Sequence, residues 1–384
     1  MATARAVGAN RLAARADRYG GIAGLLGIAA AVAWTVYWAV YCVHGSGLSW
    51  HFFVAGARRM VGLHYPGYPL PGGVHLYANY PRLQIGPLSF LVALPLALLP
   101  KVASQPIAIV LMTVIGGVSI WLVADAAQRL RQWTRGETIR AGVLAWVFVA
   151  PLWFQLAITF GHFDDVLALL LLSAAVNALA RGHGTTAALC IGAAASAKPW
   201  AIATIPLALA VTDGKRIRHL AEALLAAVVP WLPFVLGDSH TLRAGTFKIR
   251  VVATSVLALF HVTGGTPGWV RPVQFFGGAL LVVACVWSGR WAAAVVIAVA
   301  VRLGTDPNVY TYYATGLVVG AAIWDLLGSR LRVPLLTAVG FVSLYWSTFW
   351  SLSAHTLALL RLVTVLAIPL LVLATTDPEL LSPT

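Results

Sequence analysis

The sequence predicts an all-α polytopic membrane protein, a bundle of about 12 transmembrane helices. Three observations carry this. Hydrophobic residues make up 60% of the 384 and charged residues only 10%, against roughly 25% charged in soluble domains. Mean hydropathy is +0.85. The apolar residues fall in runs near the ~20 residues that cross a bilayer. The short polar breaks between them leave no room for a soluble domain, so residues 1–384 read as one integral membrane domain. The net charge of +14 does not point to nucleic acid. The basic residues sit in short loops, the pattern that orients a chain in a membrane, and anionic lipid headgroups are the partner it fits.

Residues 1–20 carry Arg5, Arg11, Arg15 and Arg18 and read as a basic cytoplasmic tail. The apolar run over 21–43 is too long for a signal-peptide core and is expected as the first span. Residues 44–103 follow as an outer loop. Its aromatics, among them Trp50, Phe52, Phe53, Tyr65 and Tyr68, argue for helices lying in the interface. The apolar piece 87–99 is about 13 residues, short for a span, and is expected to be re-entrant or interfacial. Only then does the run 104–127 deliver Arg129, Arg131, Arg135 and Arg140 to the cytoplasm.

Spans are expected next at 141–160, 166–181, 185–197, 199–212 and 219–236. A second outer loop, 237–271, includes an interfacial piece over 251–262. Further spans lie near 272–289, 291–303, 309–326, 333–350 and 355–375, with both termini inside. Gly316 and Gly320 have the spacing of close helix packing. Arg361 stands alone in the last run and is expected to pair with a neighbouring helix. Cys42, Cys190 and Cys285 show no ligand spacing and read as small core residues.

The chemistry centres on Gly161-His162-Phe163-Asp164-Asp165, two adjacent carboxylates and an imidazole at a span boundary, in a chain with only 12 acids. One structural alternative is a helix cap, since aspartate suits a helix N-terminus. The topology brings Lys198 out on the same side as the pair. Spans of 13 to 16 residues cover about 20–24 Å of a ~30 Å core, which recesses both ends. Ionisable groups at that depth are functional candidates. Arg58, Arg59, Arg82, Lys198, Arg243, Lys248, Arg250, Arg271 and Arg302 also land outside, and such cations suit phosphate or pyrophosphate. There is no Walker-type phosphate loop, no dinucleotide fingerprint and no zinc spacing. A phosphate used here would arrive on a lipid, with no cofactor and no metal.

Several motifs together resemble the polyprenol-phosphate-dependent mannosyltransferases of glycosyltransferase family 87, in the GT-C superfamily. They are Trp50-His51-Phe52-Phe53, Tyr77-Ala78-Asn79-Tyr80-Pro81 leading to Gly86-Pro87, the Gly161–Asp165 stretch, and Ala197-Lys198-Pro199-Trp200. The resemblance covers most of residues 20–330 and rests on the order of the motifs. It implies a GT-C-like bundle, an active site on the outer face of the plasma (inner) membrane, a polyprenyl-phosphate sugar donor, a lipid or glycan acceptor, and inversion at the anomeric carbon.

One departure stands out. The family carries a general-base acid in the first outer loop, whereas no acid occurs here between Asp17 and Asp125. The expected base is therefore Asp164 or Asp165, with His51 and Asp306 as alternatives. Lys198, Arg82 and Arg302 are expected to hold the donor phosphate. His162, Asn79, Gln84, Asp306 and Tyr310 are expected as sugar or acceptor contacts. Trp50, Tyr77, Tyr80 and Trp200 are expected to stack on sugar or guide the prenyl chain. The competing readings are a transporter or flippase for a lipid-linked sugar, and a catalytically inactive scaffold.

Overall fold

The computed structural model describes residues 26–377; the expected basic tail over 1–20 lies outside them. In chain order the main helices are α1 (Leu26–Val43), α2 (Trp50–Met60), α3 (Pro87–Ala97), α4 (Lys101–Arg131), α5 (Arg135–Phe160), α6 (Phe163–Ala180), α7 (Gly184–Ala197), α8 (Arg216–Gly237), α9 (Val270–Trp287), α10 (Trp291–Thr305), α11 (Thr311–Leu327), α12 (Leu335–Phe349) and α13 (Ala354–Thr375). Among the described residues there is no strand beyond two isolated bridges, Arg250 to Gly265 and Ser329 to Thr376. Seven helices (α1, α4, α5, α6, α8, α9 and α13) are long and apolar enough to cross a membrane. The chain is thus an all-helical polytopic membrane protein.

Side-chain contacts sort the loops into two ends. At one end the 44–49 turn meets the α5–α6 junction, Lys198 meets the start of α6, and Asp306 meets Arg302 and Gln274. At the other end Arg181 pairs with Asp125 at 2.8 Å, Arg131 meets Ser329, and Arg290 bonds Thr376 at 3.1 Å. Both ends of α3 stay at the first end. Gly86 N–H donates to Ala197 O at 3.1 Å, and Arg58 Nε donates to Ala97 O at 2.8 Å.

Local chemistry explains the boundaries. α5 starts at Arg135, earlier than expected, because Thr134 and Glu137 form a reciprocal capping box. The segment Pro199–Ala210 is a 3₁₀ helix, not the α-helix expected over 199–212. Pro199 and Pro206 each remove a donor, and at about 2 Å per residue the tighter winding covers ~24 Å, more than an α-helix of that length. The interfacial piece expected over 251–262 is a single turn, Val256–Leu259. Gly320 meets α10 closely: a Cβ there would lie 2.7 Å from Val296 N.

Gly86 is the tightest backbone approach between α3 and α7, since a Cβ would lie 1.8 Å from Ser196 O. Gly86→Ala is expected to destabilise the protein by about 1–3 kcal/mol through overpacking. Gly117→Ala, where nothing lies within 4 Å of the added methyl, is expected to leave the melting temperature unchanged. Thermal unfolding of both variants in detergent is the check.

Candidate functional site

The site is built where two irregular helix ends meet. α5 finishes in a π-helical turn, Gln155–Phe160, and Gly161 closes it with φ +63°, a conformation that favours glycine. The last carbonyls of α5 would be unpaired at a helix C-terminus. The 44–49 turn satisfies them: Gly47, Leu48 and Ser49 N–H donate to Ile158, Thr159 and Phe160 O at 2.8, 3.1 and 2.7 Å. That docking places Ser49 Oγ 3.0 Å from His162 Nε2. α6 begins immediately after, so Asp164 and Asp165 occupy its first turn, where the helix dipole favours negative charge. They do not act as the N-cap. That position is His162, which makes no side-chain cap bond.

Lys198 is placed by the residue that follows it. Proline disfavours the α region for its predecessor, and Lys198 adopts an extended backbone (φ −138°, ψ 114°) between α7 and the 3₁₀ segment. The break turns its side chain into the cluster. Lys198 Nζ lies 2.6 Å from Asp164 Oδ2 and 2.8 Å from Asp165 Oδ2. Only the first contact has hydrogen-bond geometry, so Asp165 Oδ2 is buried against the ammonium without a hydrogen bond. Asp165 Oδ1 accepts from Trp200 Nε1 at 2.8 Å and faces Arg302 at 3.5 Å. Arg302 Nε bonds Asp306 Oδ2 at 3.1 Å and stacks on Trp200 and Tyr313. Gln274, on a second π-helical turn, Val273–Gly277, donates to Asp306 Oδ1 at 3.4 Å. Arg271 continues the chain of contacts to Gln274 and Gln84, each at 3.2 Å.

His162 joins this network to the first loop. Its Nδ1 lies 3.4 Å from Asp164 Oδ1 and 3.8 Å from Asp165 Oδ2. Its Nε2 lies 2.7 Å from Tyr312 OH as well as 3.0 Å from Ser49 Oγ. The carboxylates are closed off, with Asp164 0% and Asp165 5% exposed, while the imidazole keeps 18% of its side-chain surface. Ligand atoms of His162, Asp164 and Asp165 lie within 4.8 Å of one another, a spacing a divalent cation could use. The Lys198 ammonium already sits between the two carboxylates, so the chain itself supplies a positive charge there.

The sequence-predicted residues divide cleanly. His162, Asp164, Asp165, Lys198, Arg302 and Asp306 come together, with Gln84 attached through Arg271. Tyr310 stacks on Tyr312 at the edge. Others lie elsewhere. His51 is exposed on α2. Arg82 stacks on Tyr68. Asn79 bonds Pro71 O, and Tyr80 bonds Leu70 O. Tyr77 is fully buried, bonded to Ile85 O and packed on Trp231 and Phe234. Trp50 bonds Ser104 and packs on Phe163 behind the cluster. Ser49, Gln274 and Tyr312 were not singled out. Nothing in their own sequence contexts marks them, since each arrives from a distant segment.

Lys198→Met removes the cation between two buried carboxylates and is expected to cost about 3–5 kcal/mol, the scale for breaking one side of a buried pair. Adding Asp164→Asn is expected to recover part of that loss. Melting curves of the single and double variants check it; equal Tm values for wild type and Lys198→Met would show the pair to be solvated.

No protein-family profile and no curated protein sequence matches this chain.

Proposed function

We propose that this protein is a membrane glycosyltransferase of GT-C-like architecture. It moves a hexose, mannose in the first instance, from a polyprenyl-phosphate donor to a lipid or glycan acceptor, with inversion. In this reading the shorter apolar helices cross the membrane with the long ones, giving about 12 spans, and α3 is re-entrant. The end opposite the site carries Arg129, Arg131, Arg135, Arg140, Arg181, Lys215, Arg216, Arg218, Arg290, Arg330 and Arg332. By the positive-inside rule it faces the cytoplasm of a plasma (inner) membrane, and the site faces outward.

The observation that carries the reading is His162. Its Nε2 already stands within hydrogen-bond reach of two hydroxyls, and its Nδ1 is backed by Asp164 and Asp165. This is the arrangement of a general base oriented by a carboxylate. It replaces the acid missing from the first loop. The acceptor hydroxyl gives its proton to Nε2 while its oxygen attacks the anomeric carbon. The bond from that carbon to the phosphate oxygen breaks, and the electron pair leaves with the lipid phosphate. Asp164 and Asp165 act as positioning residues, because Lys198 and Trp200 hold them. Lys198 and Arg302 lie on the path of the departing phosphate charge.

A second reading rests on a different observation. The cluster is closed, and its carboxylates are matched by Lys198 and Arg302. Buried carboxylate–cation pairs of this kind also serve carriers of lipid-linked sugars or anions.

The test is transfer from radiolabelled polyprenyl-phosphate mannose by purified protein in proteoliposomes. Wild type is expected to form a glycosidic product, and His162→Gln to lower kcat by about 10²–10⁴. Unchanged kcat in His162→Gln would remove the base assignment. Movement of intact donor across the bilayer with no glycosidic product would favour the carrier.

A further inference from the structure

Near the site, one buried guanidinium has no carboxylate ion pair among the described residues. Arg361 lies on α13, about 10 Å below the start of that helix at 1.5 Å per residue, and is 9% exposed. It forms no ion pair among the described residues. Its hydrogen bond is one contact of 3.4 Å from Nη1 to Thr254 O, and its Nε is buried without a partner. Asp306 acts on it through space only. Arginine in an apolar helix can snorkel to the interface, but this one is turned inward. Val365, one turn further along the same face, packs against Gly304, two residues before Asp306. Ser255, next to Thr254, donates to Asp306 O. Arg361 therefore borders the Asp306 edge of the site cluster.

The charges around it do not balance. Lys198 and Arg302 pair with Asp164, Asp165 and Asp306, while Arg271 bonds Gln274 and Arg361 bonds only the Thr254 carbonyl. Four cationic side chains thus stand against three carboxylates. Lys198 and Arg302 are charge-paired with the three carboxylates. The unspent donors belong to Arg361 and, beside Gln274 and Gln84, to Arg271. An uncompensated buried cation is costly, and a guanidinium fork with free N–H groups matches a phosphate oxyanion in geometry as well as sign.

We propose that Arg361 is the anchoring contact for a phosphate oxyanion at the edge of this site, completing the charge balance when the ligand binds. This deepens the transferase reading above and rests on it for the lipid that would carry the phosphate. The contact is separable from the chemistry, because Arg361 touches neither His162 nor the carboxylates.

The experiment uses the full chain in dodecyl maltoside, with undecaprenyl phosphate, undecaprenol and inorganic phosphate as probes. It compares wild type, Arg361→Gln and Arg361→Lys by thermal shift and by binding of radiolabelled undecaprenyl phosphate. Undecaprenyl phosphate is expected to bind and stabilise wild type, and undecaprenol to do neither. Arg361→Gln is expected to weaken phosphate binding tenfold or more, with Arg361→Lys in between, since it keeps the charge and loses the fork. Equal stabilisation by millimolar inorganic phosphate, lost in Arg361→Gln, would support the anchor and name the free anion as its ligand. Wild-type affinity in a monodisperse Arg361→Gln or Arg361→Lys would overturn the anchor while leaving the transferase reading intact. Absence of any phosphate binding by wild type would overturn both.

Discussion

Everything at the site end hangs on one contact, the Lys198 ammonium between Asp164 and Asp165. Charges taken out of water are tolerated only when each has a partner, and a membrane-embedded bundle offers few. Here the partners come from separated segments: α6 brings the acids, the α7 terminus brings the lysine, and α10 brings Arg302. The 3₁₀ segment adds Trp200, and α9 adds Gln274. Asp164, Asp165, Lys198 and Trp200 find their charge or hydrogen-bond partners across segments. The ion pair therefore sets how the helices meet, as much as the apolar packing does. A buried pair gives little net stability over an apolar filling of the same volume. Placing three of the 12 acids of the chain in one such cluster is better explained by specificity or chemistry than by stability.

The backbone irregularities fall around the same contact. The π turn at Gln155–Phe160 ends beside His162, the π turn at Val273–Gly277 carries Gln274, and the 3₁₀ segment starts straight after Lys198. Each shifts side-chain direction relative to a regular α-helix, and π turns are frequent at functional sites. Regular helices would carry these side chains round to other faces. The distortion and the polar cluster are two aspects of one arrangement: apolar helices bend locally so that their few polar residues can meet.

Much of this was legible in the sequence, for identifiable reasons. Composition and run length give the helical membrane class directly. The juxtaposition of Asp164, Asp165 and Lys198 followed from counting crossings, because an even number of passes returns the chain to the same side. Asp306 and Arg302 followed in the same way. The first loop is where sequence and structure connect least directly. Its motifs suggest contacts by His51, Asn79, Tyr77 and Tyr80; His51 is exposed on α2, and the other three hold the loop together. Their hydrogen-bond partners are backbone carbonyls of the loop itself, as with Tyr80 to Leu70 and Tyr77 to Ile85. Periodicity cannot reveal that in a Pro/Gly-rich stretch with no repeat. The real contribution of the loop comes from a plain Gly-Leu-Ser turn at 47–49, whose amides cap α5 and so deliver Ser49.

In the transferase reading, the proton acceptor must stand in for the first-loop acid that the resembled family carries. A proton acceptor near the first loop has to be reachable and present a nitrogen or oxygen not already held by a cation. Asp164 and Asp165 fail the second condition, since Lys198, Trp200 and Arg302 occupy their oxygens. His162 meets both: its ring is partly exposed, its inner nitrogen is held by the aspartates, and its outer nitrogen faces hydroxyls from the first loop and from α11. A carboxylate in the loop would have brought another negative charge beside two buried ones. Moving the proton acceptor to an imidazole avoids that repulsion and lets the aspartates serve by orientation alone. The remaining positive charge beyond Asp306, on Arg361, then has the sign that an arriving phosphate would need.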